Sequence, residues 1–282
     1  AIPDLPERVS GEDWGRVAKG TARMILLRVY MHEKDWAAAE AVARDVEAMG
    51  YGLMSEYSDV CNVQENEETI YAVPANASSP NWYWQEITPS DFASAGSITR
   101  VPGWYGYWMP WPFYDTYSAA DARLSTVIAD YITDSGSPKD RNSGLQGAIP
   151  FKCTQELGES SGASLDWPVF RYAETLLSLA EAINEQRGPD EALPYVNHVR
   201  ARSGLPAWSG LSQAALRDSL LAERGRELYA EGVRRQDLIR HGTFIEFAQA
   251  SGLNAQDHHV LYPIPLEVIT QGAGVIEQNP GY

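Results

Sequence analysis

Aromatic side chains that could stack on a flat ligand are concentrated in one stretch, residues 82–117. These 36 of the 282 residues contain 12 of the 30 aromatic rings and five of the nine tryptophans. The C–H groups of a sugar ring stack on a π face while nearby polar groups bind the hydroxyls. We therefore predict a ligand-binding site with rings drawn from Trp82, Trp84, Trp104, Tyr105, Tyr107, Trp108 and Trp111. The alternative is that the rings, above all those of residues 111–117, fill a small core under a long loop.

Glycoside hydrolysis needs two carboxyl groups at a suitable separation, and the sequence offers several. Glu223, Glu227 and Glu231 recur at helical spacing, and Asp115 and Asp121 follow the rings. Arginines are interleaved with the glutamates and would hold them ionised in salt bridges, whereas a general acid needs a raised pKa. We interpret the glutamates as structural. A glycoside hydrolase or lyase on a helical scaffold is the enzymatic alternative.

The remaining chemical motifs are weaker. Residues 158–162 (GESSG) match the G-x-S-x-G nucleophile pattern, but no convincing strand and helix flank them. The neighbouring His258 and His259 lack a further residue at metal-ligand spacing, so we interpret them as a surface pair and expect no metal or cofactor. Cys61 and Cys153 are the only cysteines, and the sequence leaves two states open: one disulfide, which an oxidising compartment would allow, or two free thiols.

The charge balance limits the partners. Lysine and arginine number 22 against 38 aspartates and glutamates, a net charge of −16. Such a surface repels phosphate backbones and anionic bilayers, so nucleic acid is not an expected partner. No apolar run approaches the ~18 residues that a membrane span requires. The chain begins Ala1-Ile2-Pro3, which we interpret as a processed product or a truncated piece.

Two helical hairpins must position the aromatic stretch. In residues 14–50, Met24, Leu27 and Met31 lie on one predicted face, and Ala39 and its neighbours continue the pattern after a turn. Residues 166–205 resemble this hairpin, and both resemble the tetratricopeptide unit, in which small residues allow close helix packing. A repeat cannot bury its apolar face alone, so we expect the two hairpins to stack.

The other segments complete one predicted domain, residues 1–282. Residues 51–165 are rich in glycine, proline and serine and are predicted to be a loop-rich ligand-binding insertion, with a strand at 69–73 and a helix at 121–132. Residues 211–242 are predicted to be helical, with a break at Gly232, and residues 243–282 to be an irregular tail because prolines interrupt them. The predicted fold class is mainly α, with minor β structure.

Four motifs in order resemble those of the SusD/RagB family. They are DWPVFRYAE at 166–174 with the helix that follows, VRARSGL at 199–205, ERGRELYAEG at 223–232, and the ending YPIP at 262–265 with QNPGY at 278–282. The resemblance extends to the first hairpin from Gly15. One departure is Gly225, where the family usually has arginine. A larger one is the absence here of the family's N-terminal helical half.

The resemblance implies a lipid-anchored protein at the outer-membrane surface of Bacteroidetes-type bacteria, with the anchor outside this sequence. Such proteins bind oligosaccharides, or sometimes peptides, without catalysis and form a lid on a SusC-like TonB-dependent transporter. The resemblance implies no cofactor. A tetratricopeptide-type adaptor that binds protein through its helices is the second alternative.

Overall fold

The computed structural model describes residues 2–92, 103–153 and 163–282. The chain folds into two compact units: the first ends at Glu231, and the second spans Gly232–Tyr282. Within the described residues the helices are α1 Lys19–Glu33, α2 Trp36–Glu47, α3 Asp59–Asn62, α4 Tyr83–Ile87, α5 Trp111–Tyr114, α6 Tyr172–Arg187, α7 Leu193–Arg202, α8 Gln213–Glu227, α9 Arg234–Arg240, α10 Phe244–Ala250 and α11 Leu266–Gln271. The strands are β1 Thr69–Val73, β2 Met109–Pro110, β3 Tyr131–Ile132, β4 Pro138–Lys139, β5 Gly147–Ala148 and β6 Trp167–Arg171.

The first hairpin forms as predicted, with α1 and α2 joined by a tight turn. Lys34 ends α1 in the left-handed conformation, with φ 60°, and Asp35 begins α2 by accepting a hydrogen bond from the Ala38 N–H at 3.1 Å. An aspartate in this position satisfies a backbone donor that the helix leaves free. The end of α1 and the start of α2 are therefore both fixed by local backbone structure.

Helix α6 is the centre of the first unit. Its residues Tyr172–Asn184 are all buried, and it packs against α2, α7 and α8. The core contains Met24, Leu27 and Ala39 of the first hairpin together with Leu177 and Val196 of the second. The predicted stacking of the two hairpins is thus confirmed, because neither could bury these apolar faces alone.

The second hairpin begins later than predicted. Residues 167–171 form strand β6, which pairs antiparallel with β1, so the predicted strand at 69–73 is confirmed and the predicted helix start is wrong. Pro168 cannot donate a backbone hydrogen bond, and Val169 and Phe170 favour extended backbone. Helix α6 begins directly after the strand, at Tyr172.

The insertion has more structure than a loop. Residues 83–87 and 111–114 are helical, and β2 pairs with β5, so the prediction of loop throughout 82–117 is wrong. The predicted helix at 121–132 is also wrong: a 3₁₀ turn, Ala122–Thr126, is followed by β3, which pairs with β4. The β-branched run from Thr126 to Ile128 explains the departure from helix.

A disulfide between Cys61 and Cys153 crosses the insertion, joining residues 92 positions apart with their Cα atoms at 4.6 Å. It ties α3 to the end of the segment that follows β5. Of the two states that the sequence leaves open, the structure contains the cross-linked one.

In the second unit, α10 and α11 lie within residues 243–282, so the prediction of an irregular tail is wrong, whereas α9 lies in the stretch predicted to be helical. Helix α8 ends at Glu227, four residues before the predicted end, and Gly232 provides the predicted break with φ 78°. Pro265 immediately precedes α11, a position at which proline is compatible with a helix start. The side-chain amide of Gln278 makes two hydrogen bonds with the backbone of Ile264, at 2.8 and 2.9 Å, and so orders the chain end.

Candidate functional site

A short aromatic segment, Gly103–Trp108, is held on the end of α4 by its backbone. The N–H groups of Trp104, Tyr105 and Tyr107 donate to the carbonyl oxygens of Gln85, Thr88 and Glu86, at 2.7, 3.1 and 3.0 Å. The last carbonyls of a helix lack partners within it, and this segment supplies some of them. The segment is therefore fixed in place although it is neither helix nor strand.

The close approach of the two backbones requires glycine at position 103. A Cβ atom on Gly103 would lie 1.7 Å from the Thr88 carbonyl oxygen. Two residues later Tyr105 has φ 51°, in the left-handed region that non-glycine residues rarely adopt. Residues 103–108 thus contain a position that only glycine can occupy, Gly103, and a residue with strained backbone, Tyr105. Strained backbone is frequent at functional sites.

Tyr105 attaches the segment to β5. Its hydroxyl donates to the Gly147 carbonyl oxygen at 2.7 Å and accepts from the Gly147 N–H at 3.1 Å. The Trp108 ring lies 5.4 Å from the Tyr105 ring, centroid to centroid, and against the Cα of Gly147, where a Cβ would be 2.4 Å from Trp108 Cδ1. Tyr105 and Trp108 are therefore positioned by packing and hydrogen bonds together.

Three rings of the segment remain open to solvent. The exposed fractions are 69% for Trp104, 63% for Tyr107 and 41% for Trp108. Exposed apolar residues are common singly, but three large rings within five residues on a fixed backbone form a patch suited to binding. We refer to Trp104, Tyr105, Tyr107 and Trp108 as the ring segment.

Three predicted site residues, Trp82, Trp84 and Trp111, lie outside the ring segment, and they differ in exposure and in surroundings. Trp82 directly precedes α4 and is 49% exposed, so its ring is available. Trp84 is 1% exposed and packs edge-on against Phe92 and Phe151, which makes it a core residue and corrects its prediction as a ligand-binding ring. Helix α4 turns successive side chains by about 100°, so Trp82 and Trp84 cannot share a face.

Trp111 lies apart from the ring segment, beyond β2. Its indole N–H donates to the Leu145 carbonyl oxygen at 3.0 Å, and the Arg141 guanidinium carbon lies 4.3 Å from its ring centroid. One of its faces is therefore occupied by a cation. Sequence reasoning missed the supports of the site, namely α4 and Gly147; the glycine-rich context of residues 103–106 was the available signal.

The helical glutamates that suggested hydrolysis belong to a buried ion network, as does Asp121, whereas Asp115 is exposed and pairs with Arg141. Glu227 accepts hydrogen bonds from Arg171 at 2.6 Å, from Arg123 at 3.2 Å and from Arg202. Its side chain and those of Arg123 and Arg171 are fully buried. Glu231 pairs with Arg171 at 2.8 Å and with Lys152. The predicted structural role of these glutamates is confirmed by their partners.

Electrostatics keep the Glu227 carboxyl ionised. Burial opposes its ionisation, but the charges of Arg202, Arg171 and Arg123 outweigh that effect and hold its pKa far below the usual range. Glu231 behaves alike: burial raises its pKa, and Arg171 and Lys152 lower it to a greater extent. A proton donor for glycoside cleavage needs the opposite shift. This network therefore offers no general acid.

The weaker motifs gain no support as sites. Residues 158–162 lie outside the described residues. The rings of His258 and His259 pack against each other, with centroids 4.1 Å apart, and against Tyr282. Within residues 2–92, 103–153 and 163–282, no cluster of three or more histidine, cysteine or acidic side chains could hold a metal ion. Over the same ranges no helix has the length and apolar character that crossing a membrane would need.

The architecture is a helical repeat scaffold with a long, disulfide-linked insertion that presents aromatic rings. The sequence model of the SusD family (SusD_RagB) matches residues 102–282, more than half of the chain. The chain therefore belongs to the SusD family, which confirms the resemblance found in its motifs.

Individual relatives agree with this assignment. SusD-like protein P25 of Formosa agariphila is 26% identical over 324 aligned positions, covering 96% of this chain and 60% of that protein. The starch-binding protein SusD of Bacteroides thetaiotaomicron is 34% identical over 125 positions, 42% of this chain and 22% of that protein. Surface glycan-binding protein A of Bacteroides thetaiotaomicron, solved in complex with laminarihexaose, superposes with a TM-score of 0.76 at 23% identity, covering 98% of this chain and 66% of that chain.

These comparisons confirm the mainly helical fold class. They also show that the chain spans only part of its relatives: 60% of SusD-like protein P25 and 66% of surface glycan-binding protein A.

Proposed function

We propose that this protein binds oligosaccharide without catalysis, by stacking sugar rings on Trp104, Tyr107 and Trp108. The observation that carries the proposal is the exposure of these three rings on a backbone fixed to α4 and β5. A fixed platform loses little conformational entropy on binding, which favours affinity. Trp82, at the start of α4, is the next ring available to a longer ligand.

The relatives support a glycan as the ligand. One is named as a starch-binding protein, and another was solved with laminarihexaose. Both names describe binding and not turnover. The net charge of −16 agrees with a neutral ligand, because a polyanion would be repelled.

We further propose that the full-length protein is lipid-anchored at the outer-membrane surface and delivers the oligosaccharide to a SusC-like TonB-dependent transporter. This step rests on membership of the SusD family. Co-purification of the tagged full-length protein with a transporter from membranes of the native organism tests it. Recovery of the protein without any TonB-dependent transporter would contradict delivery and leave the binding proposal intact.

The binding proposal is tested by substituting the exposed rings. We expect the Trp104→Ala, Trp108→Ala double variant to lose binding of laminarihexaose and maltohexaose in isothermal titration calorimetry, by at least tenfold, since each stacked ring contributes on the order of 1 kcal/mol or more. Its melting temperature should change little, because both rings are largely exposed.

Two controls make the result specific. Tyr262→Ala removes another ring that is 68% exposed and should leave binding unchanged. Trp84→Ala removes a buried ring and should lower stability by about 3–5 kcal/mol. Unchanged affinity in the double variant, or a loss of fold equal to that of Trp84→Ala, would refute the proposed role. Release of reducing sugar by the purified protein would show catalysis and contradict the proposal.

A further inference from the structure

A second concave site lies beyond β2 from the ring segment. It is a cavity of about 530 Å³, within the range of about 300–1,000 Å³ that is usual for small-molecule sites. Its walls come from α5, from the β3–β4 hairpin and from the loop after β4. Trp108 of the ring segment and Trp111 of the cavity flank the two residues of β2. At about 3.3 Å per residue, these two tryptophans are roughly 10 Å apart along the chain.

One wall of the cavity is an aromatic and guanidinium pair with a fixed geometry. Arg141 lies over the Trp111 ring and makes two hydrogen bonds with Asp115, at 2.6 and 3.3 Å. The loop that carries Arg141 is held by Asp140, whose carboxylate accepts the backbone N–H groups of Asn142 and Ser143 at 2.8 and 2.9 Å. Since the same loop ends at Leu145, which binds the Trp111 indole N–H, ring and cation are positioned together.

The part of the wall that comes from the β3–β4 hairpin is also ordered. Tyr131 donates its hydroxyl proton to Asp91 at 2.7 Å, and Lys139 binds the other oxygen of Asp91 at 2.8 Å. Tyr131 and Lys139 also face each other across β3 and β4. The cavity walls are thus set before any ligand arrives, which reduces the cost of binding.

Several polar groups in the cavity remain free to bind a ligand. Asp130 is exposed and has no hydrogen bond or ion pair within the described part of the chain. Arg141 uses two of its five N–H groups on Asp115, and within residues 2–92, 103–153 and 163–282 the other three have no partner. Donors and acceptors are therefore both available beside aromatic carbon, the combination that a polyhydroxylated ring requires.

The charges select against an anionic ligand. Three carboxylates line the cavity, those of Asp115, Asp130 and Asp140, against two cations, Lys139 and Arg141. Each cation is already paired with a carboxylate, Arg141 with Asp115 and Lys139 with Asp91, which lies outside the lining. A phosphate or uronate would meet a net negative site. A neutral sugar can donate its hydroxyls to these carboxylates and accept from Arg141.

We propose that this cavity is a second carbohydrate-binding site, distinct from the ring segment, which takes one or two neutral sugar units against the packed rings of Trp111 and Tyr114, with Asp130 as an acceptor. This proposal rests on the proposed function for its ligand class, a neutral carbohydrate. The test must therefore distinguish binding in the cavity from binding at the ring segment.

The test uses the protein labelled with 5-fluorotryptophan and fluorine NMR. The resonances of Trp104, Trp108 and Trp111 are assigned by single substitutions with phenylalanine, and the probes are glucose, maltohexaose, laminarihexaose and glucuronate. We expect a saturable shift of the Trp111 resonance with the neutral probes, retained when Trp104 and Trp108 are both alanine. Its saturation should need at least tenfold more probe than the ring segment needs, so the calorimetric loss expected of the double variant still holds. Glucuronate should bind at least tenfold more weakly than glucose.

Two variants localise the response. Ala129→Phe fills the cavity from a position on its wall and should abolish the Trp111 shift while the Trp104 and Trp108 shifts persist. Asp130→Ala removes a carboxylate acceptor and should weaken Trp111 saturation about tenfold, the effect of losing one charge-assisted hydrogen bond. Asp190→Ala, at an exposed aspartate between α6 and α7, is the matched control and should have no effect.

The outcomes separate the two sites. Shifts at Trp104 and Trp108 without a saturable shift at Trp111 overturn the second site and leave the proposed function standing. A Trp111 shift alone supports the second site and counts against the ring segment. A Trp111 shift that survives Ala129→Phe, or glucuronate binding as tight as that of glucose, overturns the assignment of the cavity.

Discussion

Replacing Glu227 by glutamine should destabilise the first unit strongly, because Glu227 is the shared acceptor of three buried arginines. Arg171, Arg123 and Arg202 all bind its carboxylate, and its side chain is fully buried. Glutamine keeps the shape of the side chain but removes the negative charge. The three guanidinium groups would then lose a common counter-ion in a site that water does not reach.

The size of the effect can be bounded from the remaining partners. Removing one partner of a buried ion pair typically costs about 3–5 kcal/mol. Arg171 would keep Glu68 and Glu231, and Arg123 would keep Asp121. These contacts place the expected loss near the lower end, at about 3 kcal/mol, despite the loss of several pairs. At roughly 2–4 °C per kcal/mol for a chain somewhat smaller than this one, the melting temperature should fall by about 6–12 °C.

Urea unfolding followed by circular dichroism measures the free energy directly, and a thermal scan measures the melting temperature. Glu191→Gln is the matched control, because Glu191 pairs with Arg187 at 2.8 Å but its side chain is 64% exposed. An exposed pair of this kind contributes about 0–1 kcal/mol. A loss below about 1 kcal/mol for Glu227→Gln, or one equal to that of the control, would show that the network does not stabilise the fold.

Three further predictions follow from single features of the first unit. Burial lowers the pKa of Lys152 to about 8, so above pH 8 the folded chain releases a proton that the unfolded chain still holds; the free energy of unfolding should rise by about 1.5 kcal/mol between pH 8 and 9.5, and not in Lys152→Met. Gly103→Ala would place a Cβ against the Thr88 carbonyl and should weaken binding of laminarihexaose at least tenfold in calorimetry, whereas Gly52→Ala, where a Cβ meets only the Glu67 side chain at 3.3 Å, should not. Substituting Cys61 and Cys153 together by serine opens a 92-residue loop and should cost about 4 kcal/mol in urea unfolding, an effect that reducing agent should reproduce in the unsubstituted protein.

The helical scaffold could be predicted from the sequence because its signals are local. The face formed by Met24, Leu27 and Met31 repeats at helical spacing, and all three residues are buried in the core. Gly232 provides the predicted break, with α9 directly after it. Where long-range pairing decided the outcome, local signals failed: residues 167–171 extend because β1 lies beside them.

The candidate site was predictable in composition and not in geometry. Ring density identified the segment that contains Trp104, Tyr107 and Trp108, which the structure places in solvent. The same density did not distinguish Trp84, because a five-residue helix directs that ring into the core. Which rings are exposed depends on how residues 103–108 are held by the backbone carbonyls at the end of α4. Helix α4 has only five residues, so the sequence contains no periodic signal for it.

The ion network explains how an insertion with little regular structure can hold a binding segment in place. Arg224 of α8 faces α6, where it donates to Ser178 at 2.9 Å and pairs with Glu181 at 3.9 Å. Glu227 binds Arg123 of the insertion and Arg171 of β6, 104 and 56 residues away. The insertion also bonds to the backbone of α8 through the hydroxyl of Tyr57, which donates to the Glu227 carbonyl at 2.7 Å.

Two-residue strands such as β2 and β5 cannot by themselves define the position of a loop, since a short strand pair is only marginally stable. Buried charges that must remain paired can define it, because displacing Arg123 from α8 would break its buried ion pairs with both Glu223 and Glu227. The glutamates at 223–231 therefore anchor the insertion, and we expect any effect of theirs on binding at the ring segment to arise through this anchoring. Glu227→Gln should therefore increase hydrogen exchange in residues 103–126 more than in α1 and α2. A uniform increase across the first unit would contradict the anchoring role.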